Sequence, residues 1–299
     1  MQENIARLAA ALGPSVRVHV PMAEHTSFRI GGPADLFFEP EDAPSLARAL
    51  RLAKECGAPV FILGNGTNLL VSDRGIEGLV IHLGERFSGM RCEGNRVHAL
   101  AGTLVSGLAA YAAAQGLMGL EWAAGIPGSV GGAVAMNAGA YGGEVAQSLE
   151  RVEYLQHGEV AVCAPQAGDM GYRYSAFGAP ERIVLSATFR LAPDDGGAAQ
   201  RMRDYAARRK AKQPLASPSA GSAFKRPAGF FAGALIEQAG LKGFRVGGAQ
   251  VSALHAGFII NTGGATSADV RGLIAEVQKR VFERSGVRLE PEVKFVGRE

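Results

Sequence analysis

The pattern of apolar and polar residues in the first part of the chain predicts helices and strands that alternate. Apolar side chains at Leu46, Leu50 and Ala53 share one face of a helix, and Gly57 provides its stop signal. Short apolar runs that end at glycine or polar residues are typical of buried strands. The predicted elements are helices over 1–13, 43–56 and 103–115, the last capped by Thr103, and strands over 60–63 and 78–81.

A glycine- and alanine-rich stretch over 116–143 interrupts this pattern. It predicts loops and short helix starts, because glycine loses the most backbone entropy on ordering. The later predicted strands are 152–155, 160–163, 183–191 and 257–260, and the later predicted helices are 198–212 and 268–285, with Gly286 just beyond the second. A Pro/Ser-rich segment over 213–221 marks the main predicted domain boundary.

Length and composition narrow the class of protein. A chain of 299 residues predicts about two domains, and 47% hydrophobic with 20% charged residues is typical of a globular protein. The net charge of +3 is too small to indicate a nucleic-acid partner, although it leaves room for a local anion site. The three cysteines and six histidines show no spacing typical of disulfide frameworks or metal sites.

No segment has the composition of a secretion signal or of a membrane-spanning helix, which needs about 20 consecutive apolar residues. We therefore expect a cytoplasmic protein that acts away from membranes. The sequence indicates no metal ion and no obligate protein partner.

The first candidate site directly follows the strand predicted over 60–63. Its residues are Gly64, Asn65, Gly66, Thr67 and Asn68. Glycines let backbone amides approach an anion closely, and the Asn and Thr side chains add hydrogen-bonding groups, which suits a pyrophosphate. Because Leu69 stands where a third glycine would be, the segment is not the Rossmann fingerprint. An ordinary turn is the alternative interpretation.

The second candidate site is the glycine-rich run over 125–143. Such a run builds a core poorly and is costly to order, so a chain that keeps it needs its backbone to wrap something closely. A dinucleotide cofactor would fit this requirement. The alternative is a tight packing surface for another helix.

Two further segments carry basic residues. Arg173 lies between two tyrosines, and an arginine held by aromatic rings can be aimed at a carboxylate or phosphate. Ser222 lies in a glycine-flanked turn close to Lys225 and Arg226, which suits a hydroxyl donor beside an anion-binding pair. The alternatives are a solvated arginine and a turn that only links two domains.

The last candidate is Glu292, in the extended segment after Pro291. Strand alternation predicts Glu292 and Lys294 on one face. It places Val293 and Phe295 on the opposite face. A carboxylate at the end of a strand can be catalytic, and an ordinary surface residue is the alternative.

The order of these segments is more informative than any one of them. Together they resemble the UDP-N-acetylenolpyruvoylglucosamine reductase family from about Pro21 to Phe295, which is nearly the whole chain. The Ile-Pro-Gly-Ser-Val-Gly-Gly core of the glycine-rich run is the most specific part. The segments that carry the resemblance are 26–34, 63–68, 121–141, 172–175, 220–225 and 289–293.

The resemblance implies an α/β (α+β) fold. It consists of an FAD-binding half of the vanillyl-alcohol oxidase-like type and a smaller α+β substrate-binding domain. The implied division is an N-terminal FAD-binding subdomain over 1–57, a second one over 58–212, and a substrate-binding domain over 213–299. The last few residues of the chain are expected to return to the first subdomain.

The resemblance also assigns residues. Arg173, Ser222 and Glu292 match the family's three catalytic positions. Tyr172, Lys225 and Arg226 are expected to bind substrate, with arginine at 226 where the family often has asparagine. The positions expected to bind the cofactor are Gly64, Asn65, Gly66, Thr67, Asn68, Gly125, Ile126, Pro127, Gly128, Ser129, Gly131, Gly132, Ala133 and Asn137.

The implied reaction is reduction of UDP-N-acetylglucosamine enolpyruvate, with non-covalent FAD as cofactor and NADPH as hydride donor. Arg173 would neutralise the substrate carboxylate, Glu292 would polarise the site, and Ser222 would donate a proton to carbon. Only 178–182 separates Phe177 from the next strand, so the chain resembles the shorter form of the family. The alternatives are a related flavoprotein oxidase and an inactive UDP-sugar-binding flavoprotein.

Overall fold

The computed structural model describes residues 2–299, and the sequence-predicted helix over 1–13 is described from residue 2 onward. The α-helices are α1 (Gln2–Leu12), α2 (Ala43–Cys56), α3 (Val105–Ala114), α4 (Val130–Met136), α5 (Ala198–Lys212), α6 (Ala232–Gln238) and α7 (Ser267–Ser285). None of the helices formed by residues 2–299 has the length and apolarity that crossing a bilayer requires.

The strands lie between and after these helices along the chain. They are β1 (Arg17–Pro21), β2 (Pro33–Phe38), β3 (Val60–Leu63), β4 (Leu69–Val71), β5 (Ile76–His82), β6 (Met90–Glu93), β7 (Arg96–Leu100), β8 (Leu117–Met118), β9 (Gly139–Ala140), β10 (Gly143–Glu144), β11 (Leu149–Gln156), β12 (Glu159–Cys163), β13 (Met170–Gly171), β14 (Tyr174–Ser175), β15 (Arg182–Arg190), β16 (Ala192–Pro193), β17 (Arg245–Val246), β18 (Ala249–Val251), β19 (Ile259–Asn261) and β20 (Lys294–Val296).

The chain divides into two compact units, neither of which is continuous in sequence. Unit 1 comprises residues 1–17, 36–65 and 78–209, and unit 2 comprises 18–35, 66–77 and 210–299. The segments 18–35 and 66–77 thus belong with the C-terminal part of the chain. The sequence-predicted division at 57 and 212 assigned both segments to the FAD-binding half, and its three-part scheme stays a prediction.

Unit 1 is organised around a five-stranded antiparallel sheet in the order β12-β11-β15-β7-β6. Helix α4 packs on β15, and α1 packs on α2. Strand β3 runs parallel to β5, with Val60 opposite Leu79. One continuous core joins these elements, from Leu8 in α1 to Leu191 after β15.

Unit 2 has its own core, built on α6, α7 and the antiparallel sheet β17-β18-β19. Helix α7 contributes Val270, Leu273, Ile274, Val277 and Val281, all buried, at the spacing of one helical face. Strand β20 pairs in parallel with β4, so the end of the chain returns to residues 69–71. Two distant segments are thereby joined within one unit.

Most of the sequence-predicted elements are confirmed. The helices over 43–56 and 198–212 have the predicted bounds, and Gly57 and Gly286 end α2 and α7 in the left-handed conformation. The predicted cap of α3 is wrong. The Thr103 hydroxyl exchanges hydrogen bonds with the backbone of Gly89, 3.0 and 3.1 Å away, and Leu104 stands at the cap position.

The C-terminal strand also differs from its prediction. It begins at Lys294, so Glu292 lies before the strand. Val293 is buried, but Phe295 is 40% exposed, with the Arg271 guanidinium 4.7 Å from its ring centre. The predicted alternation from Glu292 onward does not apply before Lys294, and the shared face of Val293 and Phe295 stays a prediction.

Asp73 caps helix α7 from a distant part of the sequence. Its carboxylate accepts hydrogen bonds from the backbone amides of Ser267 at 2.7 Å and Ala268 at 3.1 Å. We expect Asp73→Ala to lower the free energy of unfolding by about 1–2 kcal/mol, the usual effect of removing such a cap. Urea unfolding monitored by far-UV circular dichroism checks this. Glu283→Ala, on the exposed surface of α7, is the control, and equal midpoints for the two variants would contradict the capping role.

Candidate active site

Gly64 and Asn65 lie against the glycine-rich run within unit 1. A Cβ on Gly64 would overlap the hydroxyl oxygen of Ser129, so a side chain there would force that hydroxyl away from its place at the start of α4. The Asn65 side-chain amide donates a hydrogen bond to the carbonyl of Pro127. The structure therefore brings together two segments that are about sixty residues apart and that the sequence analysis singled out separately.

Three backbone amides at this contact have no hydrogen-bond acceptor among residues 2–299. The N–H groups of Asn65, Gly128 and Ser129 donate to no other atom of residues 2–299. The Ser129 hydroxyl accepts a hydrogen bond from Gly132 N–H at 3.4 Å and stabilises the start of α4. Grouped backbone donors without protein acceptors suit an anionic oxygen cluster, so these residues fit the pyrophosphate of a dinucleotide.

Asn137 ends α4 in the left-handed conformation, with φ of +46°. Its side chain is completely buried, and both of its amide atoms are hydrogen-bonded to backbone. The amide nitrogen donates to Gly171 O at 2.9 Å, and the amide oxygen accepts from Ala146 N–H at 2.9 Å. A cofactor contact at Asn137 stays a prediction, whereas the observed contacts fix the end of the glycine-rich run to the β13–β14 hairpin.

That hairpin carries Arg173 at its tip. Arg173 has a positive φ of +54°, which is uncommon for a residue with a side chain. Its guanidinium lies 5.2 Å from the ring centre of Tyr172 and donates to Gly139 O at 3.4 Å. The side chain is therefore directed by an aromatic neighbour and by the glycine-rich run, as the sequence pattern suggested.

In unit 2, Gly66 is the residue that fixes the second half of the 64–68 segment. It has φ of +60°, and a Cβ there would overlap the carbonyl oxygen of His25. The Gly66 carbonyl accepts a hydrogen bond from Ser27 N–H at 3.2 Å. The 26–34 segment, which the sequence singled out without a role, thus supports this turn.

Asn68 and Glu292 are joined through the backbone of unit 2. The Asn68 amide nitrogen donates to Glu292 O at 3.1 Å, and Lys294 N–H donates to Asn68 O at 3.0 Å. Glu292 N–H donates to Ala223 O at 2.9 Å. Since Ala223 follows Ser222 directly, these bonds bring the backbone of the Glu292 segment beside that of the Ser222 turn.

Ser222 itself is exposed at the tip of its turn. It stands opposite Phe258 in an isolated antiparallel bridge, and the next two residues, Ala223 and Phe224, are buried. Gly221 supplies a φ of +77° just before it. Buried neighbours and a glycine turn hold the hydroxyl outward, which is the geometry that a positioned donor needs.

The basic pair beyond this turn has its own partners. The Lys225 ammonium forms an ion pair with the Glu290 carboxylate. The Arg226 guanidinium lies 4.8 Å from the ring centre of Phe231, which is 65% exposed. A guanidinium stacked on an aromatic ring keeps its donors in one plane, as recognition of phosphate requires.

The predicted site residues therefore fall into two groups. Unit 1 holds Gly64, Asn65, Gly125, Ile126, Pro127, Gly128, Ser129, Gly131, Gly132, Ala133, Asn137, Tyr172 and Arg173, and unit 2 holds Gly66, Thr67, Asn68, Ser222, Lys225, Arg226 and Glu292.

Helix α5 supports the glycine-rich run through residues that the sequence analysis missed. Arg201, Tyr205 and Arg209 are spaced by four residues along this helix, and each contacts the 119–143 segment. The Tyr205 ring stacks on Tyr141 with 4.5 Å between ring centres, and Arg209 lies against Gly125. The four-residue spacing was the available signal, but it does not reveal which segment the helix covers.

The strongest of these contacts joins Arg201 to Glu121. The guanidinium donates twice to one carboxylate oxygen of Glu121, at 2.7 and 3.0 Å, and Gly119 N–H donates to the other at 2.7 Å. Burial alone would raise the pKa of the Glu121 carboxyl, but these hydrogen bonds outweigh burial and lower it. Glu121 is therefore a buried carboxylate that stays charged and fixes helix α5 to the start of the glycine-rich run.

We expect Arg201→Met to lower the free energy of unfolding by about 1–3 kcal/mol, the usual cost of leaving a buried acceptor such as the Glu121 carboxylate without its donor. The double variant Arg201→Met/Glu121→Gln should recover part of the loss. Arg203→Met, an exposed position on α5, is the control in urea unfolding.

The effect should also depend on pH. Since the pKa of Glu121 is lowered from 4.5 in the folded protein, the stabilisation is present above that value and is lost as the pH falls. A loss for Arg201→Met no greater than that of the control at neutral pH would contradict the anchoring role.

Comparison with known protein families first identifies the class of protein to which the chain belongs. A family model described as an FAD binding domain matches residues 34–164, and one described as the C-terminal domain of UDP-N-acetylenolpyruvoylglucosamine reductase matches residues 213–296. With the backbone donors of unit 1, these matches define an FAD-dependent oxidoreductase.

Relatives and a solved structure then identify the family. The UDP-N-acetylenolpyruvoylglucosamine reductase of Alkaliphilus oremlandii is 48% identical over 281 residues, covering 93% of this chain and 92% of that protein. That of Pediococcus pentosaceus is 47% identical over 290 residues, with 96% of each chain covered. The crystal structure of the Thermus caldophilus reductase superposes with a TM-score of 0.81 at 40% identity, over 94% of this chain and 99% of that one. The chain belongs to the UDP-N-acetylenolpyruvoylglucosamine reductase family, which confirms the resemblance and the FAD-binding α/β fold predicted from sequence.

Proposed function

We propose that this protein reduces UDP-N-acetylglucosamine enolpyruvate to UDP-N-acetylmuramate in cytoplasmic peptidoglycan precursor synthesis, with non-covalent FAD and with NADPH as reductant. Family membership over more than nine tenths of the chain supports the reaction. The observation that carries the residue assignment is the hydrogen bond from Glu292 N–H to Ala223 O, which joins the Glu292 segment to the backbone next to Ser222.

The backbone of unit 1 supplies the cofactor contacts in this proposal. When bound, FAD accepts a hydride from NADPH and delivers one to the substrate alkene. The free N–H groups of Asn65, Gly128 and Ser129 hold its pyrophosphate, and the lack of a side chain at Gly64 admits the close approach. The 64–68 segment and the 125–137 run contain no histidine or cysteine, which supports non-covalent binding.

Arg173 neutralises the substrate carboxylate. As hydride reaches the terminal alkene carbon, negative charge spreads from the adjacent carbon into that carboxylate, and a fixed cation stabilises it. The left-handed backbone of Arg173, its contact with Tyr172 and its bond to Gly139 pre-set the guanidinium direction. Such preorganised charge is commonly the largest catalytic contribution.

Ser222 then donates its proton to the carbanionic carbon. Its exposed hydroxyl on a rigid turn is a feeble acid, but an enolate carbon is basic enough to accept the proton. Glu292 helps to orient and polarise the site. A positioned general acid contributes about 10²–10⁴-fold to the rate.

Substrate binding falls to the basic pair of unit 2 and to Tyr172 at the hairpin tip. Arg226, stacked on Phe231, offers a planar set of donors that suits the diphosphate of the UDP-sugar. Lys225 adds a second cation and must exchange its Glu290 partner for the ligand. No metal takes part in this proposal.

The Ser222→Ala variant tests the assignment by separating two half-reactions. Ser222 has no part in hydride transfer from NADPH, so stopped-flow bleaching of the flavin should keep its wild-type rate. Reoxidation by saturating enolpyruvyl sugar should slow by about 10²-fold or more, the scale of losing a general acid.

Ser217→Ala, in the same loop, is the control and should leave both half-reactions unchanged. A near-normal reoxidation rate at saturating sugar in Ser222→Ala, with only weaker sugar binding, would make Ser222 a structural turn residue. An oxidase would instead reoxidise with oxygen and would not need Ser222.

A further inference from the structure

A cleft of about 600 Å³ opens in unit 1 beside helix α2. One wall is α2, and the other includes the turn between β11 and β12 and the loop that precedes β15. Its lining shares no residue with the positions assigned above to cofactor, substrate or catalysis. The cleft therefore has no role in the proposed reaction.

The rim of this cleft is strongly basic. Arg48, Arg51 and Lys54 follow one another at three-residue intervals along α2, and His157 stands across from them on the β11–β12 turn. The opposing charge in the lining is the single carboxylate of Glu181. A rim with this excess of cationic side chains favours an anion.

The cations of α2 are available for a ligand to different degrees. One amino group of Arg48 donates to Ala11 O at 2.9 Å, which orients the guanidinium and leaves its other donors. Arg51 lies 3.9 Å from Glu55 in an exposed pair, which is worth little in water. Lys54 forms no ion pair with any residue of 2–299. A ligand can therefore recruit these side chains without breaking a buried contact.

The lining beneath the rim is apolar. Leu155 in β11 and Ile183 in β15 stand directly opposite each other in the sheet register, and both are nearly fully buried. Leu50 of α2, half-buried, contributes from the facing wall. An apolar floor under a basic rim suits a molecule with an apolar body and an acidic group.

We propose that this cleft binds a small organic phosphate with a flat apolar or aromatic body, independently of the reductase site. The volume lies within the range of about 300–1,000 Å³ that is typical of small-molecule sites. The phosphate contacts the α2 cations, because guanidinium groups match its oxygens in planar pairs. The apolar body contacts Pro44, Leu50 and Pro180, apolar lining residues that keep accessible surface. Glu181 limits the negative charge that the cleft tolerates.

Isothermal titration calorimetry of the flavin-loaded, full-length protein with 1-naphthyl phosphate tests the proposal. Inorganic phosphate is titrated in parallel, and we expect the naphthyl ester to bind at least about tenfold tighter if the apolar floor is used. Saturating UDP-N-acetylmuramate should leave this binding unchanged. Competition would place the probe in the reductase site and overturn the proposal.

Two charge variants are expected to change the affinity in opposite directions, which makes the test specific to the cleft. Lys54→Glu should weaken binding by about tenfold or more, as expected for replacing a charge-assisted contact with a repulsive one, and Glu181→Lys should strengthen it. Both positions are exposed, so the folded state should persist, which the melting temperature and flavin content verify.

Arg91→Glu is the matched control, because Arg91 is an exposed cation paired with Glu93 outside the cleft. Equal weakening of ligand binding in Arg91→Glu and Lys54→Glu would show that the effect arises from net charge alone. That result would overturn the proposed site. Unchanged affinity in both cleft variants would do the same.

Discussion

The close approach of backbone at Gly64 and Gly66 is the constraint on which the site depends. These glycines are two residues apart, and each lies where a single added carbon would overlap an oxygen of its own unit, Ser129 in unit 1 and His25 in unit 2. The first contact leaves the amides of the glycine-rich run open to an anion. The second contact fixes the turn that leads to Asn68. The Asn68 side chain then donates a hydrogen bond to the backbone carbonyl of Glu292.

Around this constraint, the molecule uses burial and hydrogen bonding to fix a few polar groups. Asn137 forms one hydrogen bond to backbone through each of its two amide atoms and so fixes the hairpin that presents Arg173. Glu121 is held charged by Arg201 and by Gly119, and it fixes α5 to the start of the same run. In both cases a buried, hydrogen-bonded polar group fixes the position of the glycine-rich run.

Local patterns in the sequence predicted much of the fold and most candidate positions, because they depend on neighbours in the chain. The helix over 43–56 with its Gly57 stop follows from apolar spacing and a left-handed glycine alone. The pairing of β20 with β4 could not be predicted in this way, because more than two hundred residues separate the strands. The Arg201–Glu121 pair, 80 residues apart, and the Thr103–Gly89 contact, 14 residues apart, also depend on the tertiary fold and were not predicted.

The central claim is that this chain carries a flavin which exchanges hydride with two different partners in turn. The most direct measurement is anaerobic titration of the purified protein, monitored by visible absorption. A stoichiometric amount of NADPH should bleach the flavin band, and a stoichiometric amount of UDP-N-acetylglucosamine enolpyruvate should then restore it with formation of UDP-N-acetylmuramate. A protein that takes up no FAD, or one whose reduced flavin is reoxidised by oxygen but not by the sugar, would contradict the account.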